Sequence, residues 1–111
     1  MSRYLLPLLL ALALPAQAYF MDGNALLERM EDPGTVKPMV ALGFVMGVAD
    51  AYDGVEICIP ETVQARQPHD IVKKWLRDNP ERRHLPAGII VYVVLKNVWP
   101  CKADLQKGSR M

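Results

Sequence analysis

Apolar residues recur at helical spacing in the first half of the chain, where they predict two helices. The first is expected to have Asn24 as its N-cap and to end at the turn of residues 31–34. The second is expected to begin at Pro38 and to end near Asp53, with Gly54 as its C-cap. Their apolar positions are Leu26, Leu27, Met30, Met39, Leu42, Val45 and Met46.

Two further helices are predicted in the second half of the chain. The third is expected to begin at Pro68 and to end before Asn79, with apolar and charged side chains on opposite faces. The apolar run of residues 88–99 is rich in β-branched side chains, which favour a strand. Its length and the proline at its start, Pro86, favour a buried helix instead. The predicted fold is therefore all-α, a small bundle of about four helices.

The N-terminal segment, residues 1–18, has the pattern of a secretory signal peptide. A basic start precedes an apolar run that is too short to span a bilayer, and Ala16 and Ala18 provide the small residues of a cleavage site. We expect cleavage after Ala18 and a mature form that is periplasmic and outside the membrane. The mature chain would comprise a helical domain over residues 19–101 and a polar tail over residues 102–111.

The cysteines fit an exported protein. The chain has two, Cys58 and Cys101, and an even count in a small exported domain predicts one disulfide. It would close a loop of about 44 residues and contribute roughly 4 kcal/mol by the chain-entropy relation. The alternative is two free thiols, either of which could form a dyad with His69 or His84.

Charge is distributed unevenly, although the net charge is only +1. Residues 19–61 hold eight acidic and two basic side chains, whereas residues 62–111 hold ten basic and four acidic ones. The near-neutral total argues against a nucleic-acid-binding protein. The two halves can steer a partner, pair two copies as a homodimer, or neutralise each other within one fold. A small-residue stripe, Gly43, Gly47 and Ala51, is expected to pack tightly inside the core.

Candidate catalytic and metal-binding groups are few. The only two serines lie in the expected signal peptide and tail, which excludes a serine nucleophile. Asp50 and Asp53 could act as an acid–base pair, but a solvated acidic helix end is the expected arrangement. His69, beside Asp70, is expected at a solvated helix start. No cysteine or histidine spacing typical of a metal site is present, and we expect no enzymatic activity, metal or cofactor.

The polar segment of residues 79–85, termed the connector, joins the third and fourth predicted helices. Two helix ends hold it, and arginine is enriched at interface hot spots. We expect it to be a protein-contact surface, with an ordinary solvated turn as the alternative. The candidate contact residues are Asn79, Glu81, Arg82, Arg83 and His84.

Four short motifs occur in order along the chain. They are Gly43-Phe44-x-x-Gly47-Val48-Ala49-Asp50-Ala51, Cys58-Ile59-Pro60-Glu61, Val72-x-x-Trp75-Leu76-x-x-Asn79-Pro80-Glu81 and Trp99-Pro100-Cys101. In this order they resemble the Tai/Rap family of immunity proteins, over residues 24–101. Members of that family are associated with type VI secretion systems, where they protect against peptidoglycan amidase effectors.

The resemblance implies a periplasmic, all-helical protein that is often dimeric, has no enzymatic activity and binds an amidase of the cysteine-peptidase type. It also implies that a loop between the late helices, here the connector, enters and occludes the amidase cleft. Family members commonly have a further cysteine pair at positions matching Met30 and Ala41, which this chain lacks. The alternative is a periplasmic binding or accessory protein of the same fold without a toxin partner.

Overall fold

The computed structural model describes residues 20–102, so the expected signal peptide and residues 103–111 of the tail lie outside the described residues. Within that range the chain forms four α-helices and one short 3-10 helix, Pro80–Arg82, with isolated bridges but no strand. The α-helices are α1 (Gly23–Glu31), α2 (Val36–Tyr52), α3 (Arg66–Asp78) and α4 (Ala87–Val98). The prediction of an all-α fold with about four helices is confirmed.

All four helices contact one another and enclose one hydrophobic core. The β-branched run forms α4 because a buried helix satisfies its own backbone hydrogen bonds, which a lone strand cannot do. None of the described helices is both long and apolar enough to cross a bilayer. The core residues are Leu26, Leu27 and Met30 of α1, Ala41, Val45 and Ala49 of α2, Ile57 of the loop after α2, Val72 and Leu76 of α3, and Ala87, Ile90, Val91, Val94 and Leu95 of α4.

The starts of α1, α2 and α3 lie two residues earlier than predicted. Asp22, not Asn24, is the N-cap of α1, and its Oδ1 accepts a hydrogen bond from the Ala25 N–H at 2.8 Å. Pro38 and Pro68 occupy the third positions of α2 and α3 rather than the first. Proline is tolerated there because the N–H groups of a first turn have no carbonyl partner within the helix.

The end of α2 is a tight turn. Asp53 is the C-cap residue, and Gly54, which was expected at that position, follows it. Gly54 has a φ of +78°, a left-handed conformation that glycine adopts without the Cβ penalty. The N–H groups of residues 55–57 all donate to the Tyr52 carbonyl oxygen at 3.1 Å, so the turn satisfies the final carbonyl of α2.

A disulfide joins the loop after α2 to the residues after α4. Cys58 and Cys101 are bonded with their Cα atoms 4.9 Å apart, which confirms the predicted pair. The Cys58 N–H also donates to the Trp99 carbonyl oxygen at 2.9 Å, and the neighbouring Ile57 is fully buried. The alternative of a thiol dyad is wrong because neither sulfur is free.

His69 is buried, and the expectation that it lies at a solvated helix start is wrong. Because α3 begins at Arg66, His69 falls on the same helix face as Val72 and Leu76, three and seven residues further on. Its residue exposure is 3%, and its Nδ1 lies 2.9 Å from Asp70 Oδ1. The histidine therefore belongs to the packing of α3 against the core.

Candidate functional site

The connector begins at the C-terminal end of α3. The backbone N–H and the side-chain Nδ2 of Asn79 both donate to the Trp75 carbonyl oxygen, at 3.0 and 2.9 Å. Pro80 then opens the 3-10 helix, in which the Arg82 N–H donates to the Asn79 carbonyl oxygen at 3.0 Å. The Leu85 N–H donates to the Arg82 carbonyl oxygen at 3.2 Å. The connector is therefore hydrogen-bonded along its length.

The N-terminus of α1 anchors the connector. The Gly23 N–H donates to the Leu85 carbonyl oxygen at 3.0 Å, and the Asn24 N–H donates to the Arg83 carbonyl oxygen at 2.9 Å. N–H groups in a first helical turn lack partners within the helix, so the connector supplies them. These bonds explain why α1 begins before Asn24.

Gly23 allows the connector to lie this close to α1. A Cβ at this position would lie 2.8 Å from the Arg83 carbonyl oxygen and 2.7 Å from Ile90 Cδ1. The first of these atoms belongs to the backbone and is held by its hydrogen bond to α1. Hydrophobic periodicity does not single out Gly23. The Asp22–Gly23 pair immediately before the apolar run is the signal that could have located it.

The connector side chains fall into an exposed set and a half-buried set. Glu81, Arg82 and His84 are exposed, whereas Asn79 and Arg83 are half-buried. The Asn79 side chain caps α3, and Arg83 Nε is enclosed without a hydrogen-bond partner among the described residues. The exposed set can contact a partner directly, whereas the half-buried pair presents less of its side chains to a partner.

The face of α2 that points away from the core is apolar. Val36, Met39 and Val40 on this face are 74%, 71% and 48% exposed. Gly43 and Gly47 continue this face towards the C-terminus of α2, and a Cβ at either glycine would meet no atom within 4 Å. The expectation that the small-residue stripe packs inside the core is therefore wrong. The core instead contacts the opposite face of α2, formed by Ala41, Val45 and Ala49.

An apolar groove of about 670 Å³ lies beside this face, between α2 and α4. Its lining includes Phe44, Gly47 and Ala51 of α2 and Ile89 and Tyr92 of α4. This volume is in the range of ligand pockets and of grooves that receive side chains of another protein. The exposed face of α2 and the groove adjoin at Gly47, which belongs to both.

Tyr92 connects the groove to a polar cluster. Its hydroxyl donates to the Glu56 carboxylate, and Lys96 Nζ donates to the Tyr92 hydroxyl oxygen at 3.3 Å. The hydrogen bond to Glu56 raises the pKa of Tyr92 above its usual value of about 10. The ring of Tyr52 packs against that of Tyr92 with centroids 4.7 Å apart. The cluster ties the loop after α2 to α4.

The sequence of residues 22–101 matches the family model of the Rap1a immunity proteins. The matched range includes all four helices, the connector and both cysteines. The chain belongs to the Rap1a immunity protein family. No curated protein matches it. Family membership confirms the resemblance indicated by the four motifs and implies a protein that binds a partner effector.

The remaining titratable groups fit a Rap1a family member that acts by binding. Asp50 and Asp53 are exposed, and neither forms an ion pair within residues 20–102. No group of histidine, cysteine or acidic residues in this range is arranged to hold a metal ion. Members of an immunity protein family are typically not enzymes.

Proposed function

We propose that this Rap1a family member is a periplasmic immunity protein that binds a peptidoglycan amidase effector of a type VI secretion system. In this proposal the connector enters the amidase cleft and blocks access of the cell-wall substrate. The family match supports an immunity role toward an effector. The amidase target and the secretion system follow from the motif resemblance.

The observation that most favours occlusion is the anchoring of the connector. It is fixed by α3 and α4 at its ends and bonded to α1 through Gly23 and Asn24. A segment that is already ordered loses less conformational entropy on binding, so more of its contact energy appears as affinity. An anchored polar segment between two helices therefore suits insertion into a cleft.

Arg82 is the residue we expect to contribute most to this contact. It is exposed at the end of the 3-10 helix, between the exposed side chains of Glu81 and His84. Its planar guanidinium can donate to carboxylate or carbonyl oxygens through several parallel hydrogen bonds. Arg83, in contrast, is half-buried and positions the connector backbone.

The test is protection from a toxic amidase encoded beside this chain. The amidase is produced in the periplasm of a sensitive host, with and without the immunity protein, and affinity is measured with purified proteins. Arg82→Glu should abolish protection and weaken binding by about 30-fold or more, the size of a hot-spot effect.

Arg66→Glu is the matched control for this substitution. Arg66 is also exposed but begins α3, whereas the connector follows its other end. It should leave protection and affinity unchanged. If no neighbouring amidase is toxic or bound, the immunity proposal fails, and an accessory protein without a toxin partner becomes the better hypothesis. If Arg82→Glu and Arg66→Glu behave alike, the connector is not the contact surface.

The proposal also includes cleavage after Ala18, export to the periplasm and a homodimer. The disulfide supports export because such bonds persist in oxidising compartments. The uneven charge of the two chain halves supports association of two copies.

A further inference from the structure

We infer that Arg83 is a fixed carboxylate-binding residue of the connector, with the outer edge of its guanidinium held at the surface to pair with an acidic side chain of the effector. This inference rests on the proposed function and deepens it, because it names the chemistry that the connector recognises. It gives Arg83 a contact of its own in addition to its effect on the connector backbone.

The first observation is that the Arg83 guanidinium is enclosed on one side only. Arg83 is half-buried, and its Nε is shielded from solvent without a hydrogen-bond partner. Neither Nη atom is enclosed in this way, although no residue in the range 20–102 forms a hydrogen bond or ion pair with either of them. Both Nη atoms therefore reach the surface, where a second protein can contact them.

The second observation is the cost of this arrangement. A buried donor without an acceptor destabilises the folded state, because it gives up a hydrogen bond to water and gains none in return. Folded proteins leave few such groups, and Arg83 Nε is the one enclosed side-chain atom without a partner among the described residues. An apolar side chain of similar length would avoid this cost. Stability therefore does not explain an arginine at this position, whereas a contact made by its exposed edge does.

The third observation is that the base of the side chain is fixed. The Arg83 carbonyl oxygen accepts a hydrogen bond from the Asn24 N–H at 2.9 Å, and a Cβ on Gly23 would lie 3.0 Å from the Arg83 Cα. The backbone of Arg83 is thus held against α1 on two counts, and the enclosed Nε limits rotation of the guanidinium. A side chain that is ordered before binding loses less conformational entropy in the complex.

The fourth observation is charge. Arg82 and Arg83 are adjacent, and the neighbouring Glu81 forms an ion pair with neither of them. The N-terminus of α4, which carries partial positive charge, follows the connector after one residue and has no acidic side chain in its first turn. The connector is therefore electropositive, and the two Nη groups of a guanidinium match the two oxygens of a carboxylate.

Arg83→Met tests the contact, because methionine keeps an unbranched apolar stem and removes the guanidinium. Its affinity for the amidase encoded beside this chain is measured with purified, oxidised mature protein at several salt concentrations. Binding should be weaker than that of the wild type by about 10-fold or more at low salt. The difference should shrink as salt is added, since salt screens a charged contact. A residue that only shaped the connector would change affinity equally at every salt concentration, and that outcome would overturn the inference.

The free protein provides a second test that needs no partner. In chemical denaturation, Arg83→Met should raise the ratio of folded to unfolded protein by about fivefold or more, because the unpartnered Nε is removed. Arg66→Met is the matched control, since Arg66 is exposed at the start of α3, and it should leave this ratio unchanged. A loss of stability in Arg83→Met alone would mean that the guanidinium is satisfied in the folded state, which would overturn the inference.

Arg83→Lys separates charge from geometry. Lysine keeps the positive charge but replaces the planar edge of the guanidinium with a single ammonium group. It should retain the wild-type salt dependence and bind the amidase with an affinity between those of the wild type and Arg83→Met. A wild type that binds no amidase would refute the proposed function and, with it, the partner named here. A wild type that binds the amidase no better than Arg83→Met does would refute only this inference.

Discussion

Gly23 controls the position of the connector through the absence of a side chain. Its N–H bonds to Leu85, while its Cα lies so close to Arg83 that a Cβ would be 2.8 Å from the Arg83 carbonyl oxygen. The close approach of the backbone at Gly23 therefore determines where the connector, the candidate contact surface, lies. A change here should therefore affect both the stability of the fold and the affinity for a partner.

We predict that Gly23→Ala lowers the free energy of unfolding by about 1–3 kcal/mol, the usual cost of overpacking. It should also weaken amidase binding, because the connector must shift away from α1. Denaturant unfolding and affinity measurements check the two effects. Gly43→Ala is the control, since its Cβ meets no atom within 4 Å and alanine favours a helix interior. Equal effects of the two substitutions on stability would contradict the steric argument.

Tyr92 should contribute to a fall in the free energy of unfolding at alkaline pH. Its hydrogen bond to Glu56 raises its pKa in the folded state, so the folded protein retains the phenolic proton more strongly than the unfolded chain. This contribution is complete below about pH 10, the ordinary tyrosine pKa, and is lost as pH rises through the higher folded value. Tyr92→Phe should therefore show a smaller loss of unfolding free energy above pH 10 than the wild type. Tyr52→Phe, which leaves the Glu56 bond intact, should follow the wild-type profile in the same denaturant series.

The helices could be predicted from the sequence, whereas their ends and exposed faces could not. The length of the apolar run and the proline at its start, Pro86, identify α4 despite its β-branched side chains. The start of α1 depends on hydrogen bonds to the connector, more than 50 residues away in sequence, and no local pattern reveals them. The face of α2 was misassigned because a helix apolar on all sides gives no indication of which side meets the core.

Because α1 begins earlier than predicted, Asp22 and Asn24 can be compared directly as candidates for its N-cap. We predict that Asp22→Ala lowers the free energy of unfolding by about 0.5–2 kcal/mol, because it removes the side-chain bond to the Ala25 N–H. Asn24→Ala should change stability little, since Asn24 is exposed and contributes its backbone N–H, which alanine retains. Chemical denaturation of both variants decides between the caps. A larger loss from Asn24→Ala would place the N-cap where the sequence pattern first indicated it.

Ion pairs and hydrogen bonds join the two oppositely charged halves of the molecule within one copy. Among the described residues, the Arg77–Glu31 pair at 3.3 Å joins the halves, and the cluster of Glu56, Tyr92 and Lys96 joins them a second time. Exposed ion pairs contribute about 0–1 kcal/mol each. The exposed charges of both halves can therefore still act on a partner. The connector could be singled out from its polar composition, but its anchoring to α1 depends on the tertiary fold.

Deleting residues 1–18 tests separately whether protection requires export and whether binding of the amidase requires these residues. We predict that the shortened protein, retained in the reducing cytoplasm, keeps two reactive thiols and gives no protection against a periplasmic amidase. Without the Cys58–Cys101 bond its unfolding free energy should be lower by roughly 4 kcal/mol, the chain-entropy value for this loop. Thiol titration, unfolding and survival of the host measure these three effects.

Purification and oxidation of the same shortened protein should restore wild-type affinity, because residues 1–18 precede the helical domain and, in the proposed function, are cleaved from the mature chain. Fusion to an unrelated signal peptide should restore protection in the host. Protection by the unexported protein would mean that it acts in the cytoplasm. Failure of the oxidised protein to bind would mean that residues 1–18 contribute to the contact itself, which would contradict cleavage after Ala18.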